Sequence, residues 1–81
     1  MKRYIMVFKN TNDAVRGEEI LKNKSINMTM MPTPTQITQS CGICALFNEE
    51  ELEKINNIIE DKKISFKNIY EISSNGFSIY K

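Results

Sequence analysis

The chain has no histidine and only two cysteines, and these shortages exclude several kinds of active site. A Cys-His dyad is impossible, and so is a serine triad whose base is histidine. Structural zinc needs four nitrogen or sulfur ligands, so a monomer cannot close a site with two cysteines, although a symmetric dimer could share four thiolates. The cysteines left to carry chemistry are Cys41 and Cys44.

An excess of charge of either sign is also missing. The sequence has 11 Lys and Arg residues against 10 Asp and Glu residues, which gives a net charge of +1. Proteins that bind nucleic acid carry a basic stripe or patch, and anionic membranes attract clustered basic residues. We therefore expect this chain to bind neither nucleic acid nor membranes.

Long apolar runs are absent from the N-terminal region. The run at residues 4–8 stops at Lys9, whereas a secretory signal needs about 7–15 apolar residues and a membrane span needs about 20. We expect a cytoplasmic protein, where a lone C-x-x-C motif is more often catalytic, redox-active or metal-binding than structural. The length of 81 residues predicts a single domain over residues 1–81.

The residues that are present alternate between strand and helix patterns. The segment 4–8 is apolar throughout, which is typical of a central strand, and residues 26–32 alternate between apolar and polar side chains. Further strands are predicted at 43–47 and 65–72. The order β-α-β-β-α-β predicts an α+β, ferredoxin-like fold, which is an antiparallel sheet with two helices on one face. Asn75-Gly76 predicts a type I′ turn and a C-terminal β-hairpin extension.

Each predicted helix follows residues that favour helix starts. The cluster at residues 10–13 precedes the first helix, in which Gly17 indicates close packing on the sheet. Asn48, with Glu51 three residues later, is typical of a capping box for the second helix. The acidic residues 49–51 and the basic pair 62–63 match the dipole of that helix, so we assign them no binding role.

The motif Ser40-Cys41-Gly42-Ile43-Cys44 closes a loop and opens the third predicted strand. If this motif is extended, the two cysteine Cα atoms lie about 10 Å apart, which exceeds the roughly 7 Å that a disulfide permits. A redox pair therefore requires a turn at Gly42. The simpler interpretation places Cys41 on an exposed loop and Cys44 inside the strand as a small apolar residue.

The sequence resembles the Se/S carrier-like family of small bacterial and archaeal domains. The likeness lies in the order of elements, in the loop PTPTQITQSCG and in the strand after it. The resemblance runs from Tyr4 to about Ile72. It is most specific at Pro32-Thr33-Pro34 and at Ser40-Cys41-Gly42. It implies a cytosolic protein that carries sulfur or selenium on a cysteine, at the position of Cys41.

The chain departs from the family pattern at three positions in and after this loop. Thr35 stands where a basic residue is common, and Thr38 stands where serine is common. Cys44 stands where a small apolar residue is usual, which supports Cys41 as the family's thiol and leaves a resolving role for Cys44 open.

The leading hypothesis is therefore a carrier rather than a turnover enzyme, with no cofactor. Cys41 would take sulfur or selenium from a desulfurase-like donor protein and pass it to an acceptor protein. Ser40 and the Gly42 N–H would donate hydrogen bonds to the sulfur, while Pro32, Thr33 and Pro34 would present the loop.

Two other interpretations stay open. One is a C-x-x-C dithiol redox or metal-sharing module. The other is a small interaction or regulatory domain in which the cysteines are incidental. A homodimer through the edge of the C-terminal hairpin is a further expectation.

Overall fold

The computed structural model describes residues 2–37 and 42–81 of the chain. They form an α+β fold with a five-stranded antiparallel sheet and two α-helices. The elements are β1 (Arg3–Val7), α1 (Thr11–Asn23), β2 (Thr29–Pro32), β3 (Ile43–Asn48), a 3₁₀-helix (Glu49–Glu51), α2 (Leu52–Glu60), β4 (Asn68–Ser73) and β5 (Gly76–Ile79).

The sheet has the strand order β2-β3-β1-β4-β5, and every neighbouring pair is antiparallel. β1 lies at the centre, as its unbroken apolar run predicts, and four of its five residues are buried. β5 pairs with β4 at the outer edge, so the sheet has one strand more than the four of the ferredoxin-like arrangement.

Both helices cover the same face of the sheet. Ala14 and Leu21 of α1 share one apolar cluster with Ile55 and Ile58 of α2. The strands contribute every second residue to this cluster, as the alternation of side chains along a strand requires. These strand residues are Tyr4, Met6, Ala45, Phe47 and Ile69.

A second, smaller apolar cluster lies on the opposite face of the sheet. Ile5 and Val7 of β1 and Cys44 of β3 are fully buried in it, and Ile37 from the loop after β2 is 4% exposed. Met31 packs against this cluster, whereas Met28 and Met30 pack against the helix side. Met31 therefore lies on the face of the sheet opposite to Met28 and Met30.

Helix α1 begins and packs as its sequence predicts. The Asn10 side chain accepts a hydrogen bond from the Asp13 N–H at 2.8 Å, which caps the first turn. A Cβ atom at Gly17 would lie 2.5 Å from the ring of Phe8, so only glycine lets the helix approach the sheet this closely. The close-packing interpretation of Gly17 is confirmed.

The start of the second helix differs from the predicted capping box. Asn48 Oδ1 accepts from the Glu50 N–H at 3.0 Å and begins a 3₁₀ turn before α2. The carboxylate of Glu51 does not close a box, because its Oε1 accepts from the Asn27 N–H at 3.2 Å. Glu51 thereby ties the chain before β2 to the start of the helix.

The predicted type I′ turn is also wrong. That turn needs positive φ at both central residues, but among the described residues positive φ occurs only at Gly76, Ser25 and Lys62. Gly76 has a φ of +119° and pairs with Ser73, so Ser74 and Asn75 form the connection. The hairpin itself is present.

Candidate functional site

The loop between β2 and β3 contains the sequence motif, and the two strands fix both of its ends. The ladder pairs Pro32 with Ile43 and Met31 with Cys44. One further bond continues this pairing, from the Thr33 N–H to the Gly42 carbonyl at 3.0 Å. The loop that joins Thr33 to Gly42 therefore leaves and re-enters the sheet at adjacent points.

The first half of the loop turns back onto the face of the sheet without helices. The Ile37 N–H donates to the Pro34 carbonyl at 3.1 Å, which closes a turn over residues 34–37. Thr33 is buried and Pro34 is half-buried, whereas Thr35 and Gln36 are exposed. The Ile37 side chain enters the second apolar cluster and anchors this half of the loop.

Cys44 is fully buried at the second position of β3. Its neighbours across the sheet are Val7 on β1 and Met31 on β2. Its Sγ lies 4.0 Å from the Pro32 carbonyl oxygen, within reach of a weak S–H hydrogen bond. The burial expected from strand parity is therefore found, and this side chain has no direct contact with solvent.

Gly42 is exposed and lies at the mouth of the loop. Its φ is outside the positive region, and a Cβ atom here would meet no described atom within 4 Å. Nothing in its described surroundings requires glycine. The turn at Gly42 that a redox pair would need is therefore not marked by a left-handed backbone at that residue.

The predicted site residues are thus partly brought together. Pro32, Thr33, Gly42 and Cys44 meet where β2 and β3 join, and Pro34 begins the turn beside them. Ser40 and Cys41 lie outside the described residues, and so does Thr38. In residues 2–37 and 42–81, no cluster of three His, Cys, Asp or Glu side chains could hold a metal ion.

Ile37 anchors the loop, although no role was predicted for it from the sequence. A signal was present in the sequence, because Ile37 is the one aliphatic residue among the polar and proline residues 32–40.

No helix in the described part of the chain is both long enough and apolar enough to cross a membrane.

Comparison with known families finds a match that covers most of the chain. A family model described as Putative Se/S carrier protein-like matches residues 3–71. The chain belongs to this family. The match begins at the first residue of β1 and ends inside β4, so β5 lies beyond it. No curated protein and no solved structure matches the chain.

Membership of this family confirms the resemblance found in the sequence. The family description names a carrier of selenium or sulfur, and a carrier must meet the partner proteins that load and unload it. Neither the donor nor the acceptor is identified by the match.

Proposed function

We propose that this protein is a sulfur or selenium carrier that holds the transferred atom on Cys41. Family membership supports the type of cargo. The burial of Cys44 supports the choice of cysteine, because exchange with a partner protein requires an accessible thiolate. Of the two cysteines, Cys44 fails this requirement in the folded chain.

The transfer needs two exchange steps and no net oxidation. The Cys41 thiolate attacks the terminal sulfur of a donor persulfide, so a new S–S bond forms as the donor's S–S bond breaks. The donor cysteine leaves as a thiolate, and Cys41 holds the sulfur as a persulfide. An acceptor nucleophile then attacks that terminal sulfur and releases the Cys41 thiolate. With selenium as cargo, the terminal atom is selenium, and an S–Se bond forms on Cys41 as the donor's S–Se bond breaks.

The residues around the loop have supporting roles in this proposal. Pro32, Thr33 and Pro34 hold the first half of the loop against the sheet, and the Thr33–Gly42 bond fixes its ends. Ser40 and the Gly42 N–H donate hydrogen bonds that stabilise the sulfur anion. Because the described contacts of Gly42 use only its carbonyl oxygen, its N–H is available for this role in the proposal.

The burial of Cys44 is the observation that carries the proposal. A dithiol redox module needs both thiols within disulfide distance and open to a reductant. Cys44 lies in β3, which is paired on both sides, so its thiol is open to a reductant only if that part of the sheet opens. A metal-sharing dimer would need the same opening at each copy.

The assignment is tested by intact mass after incubation with a cysteine desulfurase and cysteine. We expect wild-type protein and Cys44→Ala to gain about 32 Da, the mass of one sulfur atom that exchange adds, and Cys41→Ser to gain nothing. The Cys44 variant checks that the change at Cys41 is specific. Loss of loading in both single variants, together with a Cys41–Cys44 disulfide in the wild type, would replace the carrier with the redox pair. Unchanged loading of Cys41→Ser would also contradict the assignment.

The finer description of the fold belongs to the same proposal. We infer a ferredoxin-like arrangement extended by β5, because β1 lies between β3 and β4, β2 lies outside β3, and both helices cover one face. We also infer a cytoplasmic location, where a thiol carrier would stay reduced. The homodimer through β5 stays a prediction.

A further inference from the structure

A group of basic side chains lies at the same end of the sheet as Gly42. The last residue of β1, Val7, is flanked by Cys44 on β3 and by Asn68 on β4. Lys9 follows this end of β1, and the Lys67 N–H donates to the Val7 carbonyl at 2.7 Å just before β4 begins. Adjacent strands are about 4.8 Å apart, so β3 and β4 are separated by about 10 Å here.

The helices bring three more cations to this end. Helix α1 starts four residues after Val7, and the segment between α2 and β4 returns to the same end. Between them lies an open cleft of about 220 Å³, lined by Arg16, Lys62 and Lys63 together with Asp13 and Ser65. We call Lys9, Arg16, Lys62, Lys63 and Lys67 the basic end.

Four of the five cations of the basic end, all but Lys67, form no ion pair with the residues that the structure describes. Its acidic residues are Asp13, Glu60 and Asp61, and Asp13 Oδ2 accepts a hydrogen bond from the Ser65 hydroxyl at 3.2 Å. No acidic side chain of residues 2–37 or 42–81 forms an ion pair with Lys9, Arg16, Lys62 or Lys63.

The opposite end of the molecule is different. The acidic residues 49–51 and Glu53 surround the start of α2, and Glu71 lies beside Tyr4 at the start of β1. Three cations outside the basic end form ion pairs, Lys2 with Glu71, Lys54 with Glu51, and Lys22 with Glu18. The near-zero net charge therefore hides a separation of charge along the strands.

We propose that the basic end is the docking surface for an acidic face of the protein that donates sulfur or selenium. This inference rests on the proposed function, because a donor must approach the end of the sheet at which residue 42 re-enters. A one-sided charge distribution orients such an approach and raises the association rate. Nucleic acid fits less well, because five cations beside three acids do not form the basic stripe that phosphate backbones require.

The test compares the rate of persulfide loading from a desulfurase in Lys62→Gln/Lys63→Gln and in wild-type protein. The side chains are exposed, and the hydrogen bonds from both residues to the end of α2 use backbone atoms, so the variant keeps the fold. We expect loading at low salt to slow by a factor on the order of ten, and its dependence on salt to weaken. The final extent of loading at high donor concentration stays at the wild-type value.

Two control variants separate charge from structure. Lys62→Arg/Lys63→Arg keeps the charge and restores the rate. Lys22→Gln/Lys24→Gln removes two charges from the other end of α1 and loads at the wild-type rate, since the exposed Lys22–Glu18 pair contributes little to stability. Alkylation of Cys41 by neutral iodoacetamide proceeds at the same rate in all variants.

A Lys62→Gln/Lys63→Gln protein that loads at the wild-type rate with the wild-type salt dependence would overturn the docking surface and leave the role of Cys41 intact. Wild-type protein that never loads would remove the proposed function and the docking surface with it. Binding of an RNA oligonucleotide at about 150 mM salt, lost in the same variant, would assign the surface to nucleic acid and also overturn the proposal.

Discussion

At the scale of single residues, Cys44 and Ile37 attach the two ends of the candidate loop to the sheet. Cys44 fills a place in the second apolar cluster, where a larger side chain would displace Ile5 or Val7. Ile37 enters the same cluster from the loop. The segment 37–44 therefore begins and ends at residues that are buried on the same face of the sheet.

Ile37→Ala should release this anchor and open the cluster around Cys44. Truncation of a buried isoleucine lowers the free energy of unfolding by about 2–5 kcal/mol. In a Cys41→Ser background, where Cys44 is the only thiol, we expect a neutral thiol reagent to modify Cys44 faster under native conditions.

Thr35→Ala is the matched control, because Thr35 is exposed on the same turn. In Thr35→Ala, Cys44 should react with the reagent as slowly as in the Cys41→Ser protein without a second substitution. Equal protection of Cys44 in both variants would show that Ile37 does not close the cluster. Circular dichroism of each variant confirms that the comparison is made between folded proteins.

At the scale of elements, the sequence predicted what local patterns determine. The apolar run of β1 and the cap of α1 each lie within a few residues, so local sequence patterns identify them. β2 is shorter than the predicted segment 26–32 because the Ile26 N–H donates to the Leu21 carbonyl and the Asn27 N–H donates to Glu51. Those N–H groups serve the end of α1 and the 3₁₀ turn instead of β3.

Two further misses, the capping box at Glu51 and the anchoring role of Ile37, have the same physical origin. The contact between Asn27 and Glu51 joins residues 24 positions apart, and the entry of Ile37 into the second cluster joins it to β1. No window of the sequence contains both partners. That the loop is the functional site stays a prediction, and its attachment to the sheet was not predictable from its composition.

The C-terminal strand is held by a contact that the sequence did not reveal. The ring of Tyr80 meets Tyr4 edge-on with centroids 5.3 Å apart, and its hydroxyl accepts from Asn56 Nδ2 at 3.1 Å. Tyr80 therefore joins the end of the chain to β1 and to α2. Its neighbour Ile79 is 68% exposed on the edge strand.

Adjacent substitutions should consequently differ in their effect on stability. We expect Tyr80→Ala to lower the free energy of unfolding by about 1–3 kcal/mol, from the aromatic pair and the hydrogen bond together. Tyr80→Phe should cost about 0.5–1.5 kcal/mol, and Ile79→Lys less than about 0.5 kcal/mol because its side chain is exposed. Urea denaturation measures all three, and equal midpoints for the variants at residues 79 and 80 would contradict the docking of Tyr80.

Ile79→Lys also offers a cleaner test of the predicted homodimer than removal of residues 75–81. The deletion removes Tyr80 and its contacts as well as the strand edge. A charge at residue 79 disfavours edge pairing and keeps those contacts. Sedimentation of Ile79→Lys as a monomer beside a wild-type dimer would support pairing through β5, whereas equal sedimentation would argue against it.

At the scale of the whole molecule, charge is balanced in sum and separated in space. The balance is the basis for the expectation that the chain binds no nucleic acid, which stays a prediction. The separation, with the basic end beside the candidate loop, could not be obtained from composition, because it depends on which strand ends meet. Lys62 and Lys63 illustrate this point, since α2 ends at Glu60 without a basic residue in its last turn and both lysines lie beyond it.

One residue couples the stability of the whole molecule to alkaline pH. Burial of Tyr4 raises the pKa of its phenol above 10.0, and the nearby Glu71 carboxylate raises it further. Above the unfolded-state pKa of about 10, the unfolded chain loses this proton while the folded chain retains it. The unfolded state then binds fewer protons, so the free energy of unfolding falls as pH rises, and this contribution is complete only below the unfolded pKa.

Tyr4→Phe removes this proton and keeps the stack against Phe47, whose ring centroid is 5.6 Å away. We expect the variant to lose stability less steeply than wild-type protein between about pH 10 and 11.5, just above the unfolded-state pKa of tyrosine, as measured by urea denaturation across that range. All other residues are common to both proteins, so their contributions cancel in the difference. Parallel curves for the two proteins would show that Tyr4 ionises equally in the folded and unfolded states, which its burial between β3 and the C-terminal segment argues against.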